Sequence, residues 1–217
     1  MTSASDLAAL MCSRLCHDML SPVGAMSNGL ELLASETDPQ MRQNCIDLLE
    51  QSATISANKL KFFRLAFGAA GGFGDRVDTN EPRDLIQQLA NDKGRIEINW
   101  ALDLPNMSKP SVKVMLNFAQ IAIESLVRGG TLDIGAEVRD GASELVVRAA
   151  GPKIAFDDVL SLALSGDLEP DELTSRTAPA YMLHLIADGC GGQLQTARTD
   201  DALLLGAVLP EPEGMIG

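Results

Sequence analysis

The sequence is poor in the residues that build most metal and redox sites. Its 217 residues include two histidines and four cysteines, at Cys12, Cys16, Cys45 and Cys190. Two histidines are too few for a His-rich metal centre, and the cysteines show no CxxC spacing. Cys12 and Cys16 stand one helical turn apart, but a zinc ion held there would lack its other ligands. We therefore predict reduced thiols and no metal site.

Positive charge is also scarce. The chain has 17 Lys and Arg against 30 Asp and Glu, a formal net charge of −13. Because this charge repels phosphate backbones and anionic lipid headgroups, neither nucleic acids nor membranes are expected as partners. No stretch approaches the roughly 18 apolar residues of a transmembrane helix. The first residues lack the basic region of a signal peptide, so we expect a cytoplasmic location.

One glycine-rich stretch divides the chain into two differently patterned regions. It spans residues 68–74 and reads GAAGGFG. The region before it has helical periodicity and no strand-like alternation, whereas strand and helix patterns alternate after it. We predict a helical hairpin domain at residues 1–70 and an α/β domain at residues 71–217.

The upstream region predicts two long helices joined at Asp38-Pro39, where the proline suits a helix start. Apolar residues recur mostly every three or four positions along both helices. On the first helix they are Ala8, Met11, Cys12, Leu15, Met19, Met26, Leu30 and Leu33. Because an isolated hairpin leaves one apolar face open, we expect two copies to form a dimeric four-helix bundle. The alternative is that the hairpin packs on the downstream domain.

The downstream region predicts helices packed on a mixed sheet. Strands are predicted at residues 96–102, 132–138, 144–149, 193–197 and 203–209, with a hairpin turn at Arg139-Asp140-Gly141. Helices are predicted from Pro82 onward and at residues 112–127, 156–164 and 180–188. The fold class is therefore α+β, a helical hairpin followed by a two-layer α/β sandwich.

His17 is a candidate nucleophile on the first helix. It lies about 200° around that helix from Leu15, opposite the apolar seam. An exposed histidine titrates near neutrality and can react through either ring nitrogen. The carboxylate of the adjacent Asp18 can accept a hydrogen bond from one ring N–H and so leave the other nitrogen free. Taken alone, however, His17 is most simply an incidental surface residue.

The residues around His17 change that interpretation. The run HDMLSP at residues 17–22 resembles the H-box of sensor histidine kinases, which has a histidine, an acidic residue, two variable positions, Thr or Ser, and Pro. A hairpin followed by an α/β domain is also the order of a histidine kinase core. The resemblance implies that the downstream domain has the fold of a histidine kinase ATPase domain.

The nucleotide motifs of such a domain are absent at the matching positions. The asparagine that would hold Mg²⁺ falls at Ile121 to Ile123, whose side chains offer no oxygen. Ala149 replaces the aspartate that would contact adenine. The phosphate-binding glycines fall near Thr177 to Ala180, where Pro179 has no N–H to donate. We therefore expect a kinase-like domain that binds no ATP and no other cofactor.

A histidine on a dimeric hairpin joined to a degenerate ATPase domain resembles the ChpT family of alphaproteobacterial histidine phosphotransferases. The runs LCHDMLSPVGAMSNGLELL and LVRGGTLDI both look like that family. The resemblance implies a phosphorelay linked to cell-cycle regulation. His17 would take a phosphoryl group from the receiver domain of a CckA-like hybrid kinase and pass it to CtrA-like response regulators, and Mg²⁺ would come with the receiver.

Two residues beside His17 are expected to assist it. Asp18 is expected to orient the imidazole through its hydrogen bond. Met19-Leu20 stand where kinases commonly have Leu-Arg, so Arg14, one turn before, is expected to supply positive charge near the phosphoryl group. Receiver domains are expected to dock on the residues that share this helix face, namely Leu10, Ser13, Leu20, Ser21, Gly24 and Asn28. Two alternatives remain: a divergent but active histidine kinase, and a dimeric scaffold that binds receivers without phosphotransfer.

Overall fold

The computed structural model describes residues 3–68 and 75–212. The predicted domain boundary at residue 70 and most of the glycine-rich stretch lie outside the described residues. The helices are α1 (Ala4–Ser35), α2 (Pro39–Phe67), α3 (Asn80–Lys93), α4 (Lys109–Ser125), α5 (Asp158–Ser165) and α6 (Ala178–Gly189). The strands are β1 (Arg76–Asp78), β2 (Ile96–Leu102), β3 (Asn106–Ser108), β4 (Gly130–Arg139), β5 (Ala142–Ala150), β6 (Gln193–Arg198) and β7 (Ala202–Pro210).

Local sequence signals set the start of both hairpin helices. The Ser3 hydroxyl accepts a hydrogen bond from the backbone N–H of Asp6 at 3.1 Å and forms a capping box at the start of α1. Asp38 caps α2 by accepting from the N–H of Met41 at 2.9 Å, and Pro39 occupies the first turn. The predicted hairpin, with its turn at Asp38-Pro39, is confirmed.

The downstream region forms a mixed five-stranded sheet in the order β2-β4-β5-β7-β6. β2 and β4 run parallel and the other neighbours antiparallel. Asp140 and Gly141 join β4 to β5 with φ angles of 50° and 79°, the left-handed pair that suits a tight hairpin. Alternate side chains of β5 are buried against the helices, α4 among them. The α+β fold class and the α/β sandwich are confirmed.

The structure corrects two details of the sequence interpretation. The three-residue strands β1 and β3, which were not predicted, pair with each other and bring the buried Val77 opposite Met107. Helix α4 starts at Lys109 rather than at Val112, because Pro110 is accommodated in its first turn. Strands β1 and β3 could not be predicted because three residues are too few to show the alternation that identifies a strand.

Among the described residues, the hairpin packs on the downstream domain near the end of α2. Near the end of α2, Phe62, Leu65 and Ala66 are buried in the main core, and α2 contacts α3 and α4. Along α1, which is described over its whole length, the buried residues are Pro22 and Gly29. The packing alternative is therefore confirmed for the end of α2. Of the predicted seam on α1, Ala8, Cys12 and Leu30 remain exposed in the single chain.

Gly130, where the chain enters β4, is a position that only glycine fits. Its φ is 147°, and a Cβ atom there would overlap the carbonyl oxygen of Ala150. We expect Gly130→Ala to lower the free energy of unfolding by about 3 kcal/mol or more, since backbone strain adds to overpacking. Gly141→Ala is the control. Its φ is also positive, but no atom of the described residues lies within 4 Å of the added Cβ, so the substitution should cost about 1 kcal/mol. Urea unfolding that gives equal losses would contradict this account.

Candidate functional site

His17 projects from α1 with its side chain 81% exposed. Its Nδ1 atom lies 3.1 Å from Oδ1 of Asp18. Because an ionised carboxylate can only accept a hydrogen bond, the proton of this contact belongs to Nδ1. The lone pair of the neutral imidazole is then on Nε2, which is free to act as a nucleophile.

Asp18 is held from two directions. Its side chain is 15% exposed, and its Oδ2 atom accepts a hydrogen bond from Nε of Arg14 at 2.8 Å. Its backbone carbonyl accepts another from Nζ of Lys59 on α2, also at 2.8 Å. The carboxylate therefore has one oxygen bound to Arg14 and the other bound to His17.

Arg14 connects the hairpin to the downstream domain. Its Nη2 atom donates to Oε1 of Glu124 on α4 at 3.0 Å, and the same oxygen accepts from Nε2 of Gln120 at 3.0 Å. Burial of the guanidinium opposes its charge, but the charges of Glu124 and Asp18 outweigh burial and raise the pKa of Arg14. Arg14 was expected to stand near the phosphoryl group. The structure places it between two carboxylates, so that its link to His17 runs through Asp18.

The predicted docking residues form an open face around His17. Ser13, Leu20, Ser21 and Asn28 are exposed, and Leu10 and Gly24 are half-buried. A Cβ atom added at Gly24 would meet no atom of residues 3–68 and 75–212 within 4 Å, so the helix surface has open space at this point. The face has room for a partner protein to approach, and the docking role of these residues stays a prediction.

A cleft of about 550 Å³ lies between the hairpin and helices α3 and α4. Apolar side chains, including Ile55 and Phe62, line it together with Asp18, Lys59 and Asp92. Burial raises the pKa of Asp92 even though the charge of Lys59 acts in the opposite direction. The cleft thus lies between the hairpin and the downstream domain, on the side where Arg14 contacts Glu124.

The positions matched to the nucleotide motifs include residues at a second, smaller pocket. This pocket has a volume of about 270 Å³ and is lined by Ile121 and Pro179, and also by Arg14 from α1. Pro179 lies in the first turn of α6. Asn117 of α4 also lines the pocket. Its side-chain amide is already engaged, because it donates to the carbonyl of Lys113 at 2.8 Å. The volume is below the roughly 300–1,000 Å³ of typical ligand pockets.

Sequence reasoning missed Glu124. This residue lies 110 positions from Arg14 and on another domain, and no motif links the two. The one local signal is the Gln120–Glu124 spacing of four, which places both side chains on one face of α4. That spacing shows nothing about contact with α1.

Residues 3–68 and 75–212 contain no cluster of three or more His, Cys, Asp or Glu side chains placed to hold a metal ion. In the same ranges, no helix is both long enough and apolar enough to cross a membrane. The four cysteines are free thiols.

Comparison with known proteins identifies the family. A family model described as the histidine phosphotransferase C-terminal domain matches residues 79–202. The protein phosphotransferase ChpT of Brucella abortus (strain 2308) is 30% identical over 205 residues, which cover 94% of this chain and 96% of that protein. The 1.7 Å structure of a bacterial phosphotransferase matches with a TM-score of 0.82 and 29% identity, covering 95% of this chain and 98% of that one. The chain therefore belongs to the ChpT family of histidine phosphotransferases.

Proposed function

We propose that His17 carries a phosphoryl group between the aspartates of receiver domains in a two-component phosphorelay. The observation that carries the proposal is an exposed imidazole whose Nδ1 is held by Asp18. Membership of the ChpT family supports phosphotransfer as the activity. It also supports CckA-like hybrid kinases as donors and CtrA-like response regulators as acceptors, in the control of the cell cycle.

The chemistry requires little from this chain. The lone pair of His17 Nε2 forms a bond to phosphorus while the bond from phosphorus to the receiver aspartate breaks, and the electron pair leaves with that carboxylate. Positive charge develops on the imidazole as the new bond forms, and the Asp18 carboxylate at Nδ1 stabilises it. Transfer to the next receiver reverses these steps. A Mg²⁺ ion brought by the receiver would neutralise charge on the phosphoryl group.

The proposal also holds that the chain does not use ATP. The small volume of the second pocket and the proline at the start of α6 both support this statement. Calorimetric titration with ATP and Mg²⁺ should give no binding heat at an ATP concentration of about 1 mM. This concentration is at the top of the usual range of KM values. Label incorporated into His17 from labelled ATP would instead indicate an active kinase.

We further propose that two copies associate through the hairpin. At about 100° per residue, Val23 and Leu30 share a face of α1. Leu30 lies about 160° around from Arg14, the residue that reaches α4. Ile46 and Leu60 on α2 are apolar and exposed as well. A four-helix bundle would bury these side chains and leave His17 accessible.

The decisive experiment follows label from a phosphorylated receiver domain. The donor is a hybrid-kinase receiver carrying ³²P-aspartyl phosphate, and the readout is label on this chain. We expect an acid-labile, base-stable phosphoprotein that returns its label to an unphosphorylated receiver. Binding of the receiver without label on this chain would favour the scaffold alternative and contradict the proposal.

A further inference from the structure

A chain of polar contacts runs from the downstream domain to the imidazole. Glu124 on α4 accepts from Arg14 at 3.0 Å, and Arg14 donates to Asp18 at 2.8 Å. Asp18 in turn lies 3.1 Å from Nδ1 of His17. The first contact joins the two domains, and the other two lie within α1. The side chains of Arg14 and Asp18 are 16% and 15% exposed, so water competes little for the contact between them. The contacts at the two ends of the chain, with Glu124 and with His17, are exposed to water.

The direction of the Arg14 guanidinium decides whether one oxygen of the Asp18 carboxylate is left for His17. Arginine prefers to bind a carboxylate with two parallel N–H groups, one to each oxygen. Such a fork on Asp18 would occupy Oδ1, the oxygen that holds His17. In the structure, Arg14 gives only Nε to Asp18 and turns Nη2 to Glu124. In this arrangement, Oδ1 of Asp18 is left to the imidazole.

We propose that Glu124 is a positioning residue for His17, acting across the domain interface through Arg14 and Asp18. The proposal rests on the proposed function of His17 as the phosphoacceptor. It gives the downstream domain a part in phosphotransfer that needs no nucleotide. The helix α4, where a kinase would carry its Mg²⁺-binding asparagine, instead supplies a carboxylate that sets the reactive tautomer of the histidine.

A second ion pair provides a matched comparison. Nη2 of Arg64 on α2 lies 3.0 Å from Oε1 of Glu81 on α3, so this pair joins the hairpin to the same domain through the same atoms at the same distance. Arg64 is 68% exposed, whereas Arg14 is 16% exposed. The carboxylates of Glu81 and Glu124 are 46% and 44% exposed. Only the pair at Glu124 continues to Asp18. Loss of either pair weakens domain docking, but only loss of Glu124 should change the imidazole.

The test compares three full-length variants with the unchanged protein. Glu124→Ala removes the acceptor for Arg14, and Glu124→Gln keeps a carbonyl oxygen in the same place. Glu81→Ala removes the control ion pair. The first readout is the ratio of the Nδ1–H and Nε2–H tautomers of His17, from ¹⁵N chemical shifts recorded at about pH 8.5. The second readout is the rate of label uptake from a phosphorylated receiver.

We expect Glu124→Ala to lower both the Nδ1–H to Nε2–H ratio and the rate by about threefold to tenfold, the value of one hydrogen bond. Glu124→Gln should recover most of both, and Glu81→Ala should change neither. An unchanged tautomer ratio in Glu124→Ala would overturn the inference. So would equal changes in Glu124→Ala and Glu81→Ala, since domain docking alone would then explain them.

Failure of the proposed function would look different. The unchanged protein would then take up no label from any receiver. The tautomer ratios of the four proteins would still decide whether Glu124 sets the state of His17, because that readout needs no phosphotransfer.

Discussion

His17→Ala is expected to reduce label uptake from a phosphorylated receiver by at least about 100-fold, because the reacting nitrogen is lost. The side chain is 81% exposed and makes its polar contact with the adjacent Asp18, so the substitution should leave the fold intact. Circular dichroism and thermal unfolding should therefore match the unchanged protein. Receiver binding should also persist, since the surrounding face keeps its shape.

The second histidine of the chain provides the control. His184 on α6 is half-buried and stacks on Tyr181 with ring centroids 6.0 Å apart. Substitution by glutamine, His184→Gln, should leave label uptake near that of the unchanged protein. Equal labelling of His17→Ala and the unchanged protein would refute the assignment of His17 as the phosphoacceptor. Loss of labelling in His184→Gln alone would instead identify His184 on α6 as the phosphoacceptor.

The hairpin and the sheet could be predicted because their signals are local. Asp38-Pro39 specifies a helix start through its own cap and ring, and Asp140-Gly141 specifies a tight turn through its φ angles. The docked end of α2 was harder to predict. Phe62 and Leu65 have the same spacing whether they face a second copy or another domain, because periodicity shows which face is apolar and not what covers it.

The same limit applies to the site. His17 and Asp18 are adjacent in sequence, and a six-residue motif contains both. The contact of Arg14 with Asp18 spans four positions of one helix, a spacing that predicts an ion pair. Glu124 comes to Arg14 because α2 docks on α4, and because α1 packs on α2 and also contacts α6. The partner of Arg14 thus follows from tertiary packing, which the local pattern does not contain.

Ile46→Glu is expected to dissociate the dimer that we propose, whereas Leu48→Glu should leave it intact. The two side chains are matched, with 36% and 38% exposure in the single chain. They differ by about 200° around α2, because each residue advances the helix by about 100°. Leu48 lines the cleft that faces the downstream domain, and Ile46 lies on the face assigned to the bundle.

The symmetry of a bundle doubles the effect of one substitution. In the Ile46→Glu variant, a twofold interface would contain the introduced glutamate twice, each time as an unpaired carboxylate moved from water into an apolar seam. Desolvation of two charges at a few kcal/mol each should raise the dissociation constant by more than about 100-fold.

Light scattering at micromolar concentration should give the mass of one chain for Ile46→Glu and of two for Leu48→Glu. Two chains for both variants would place the interface elsewhere, and one chain for the unchanged protein would refute the dimer. Because His17 faces away from this seam, a monomeric Ile46→Glu variant should still accept label from a receiver.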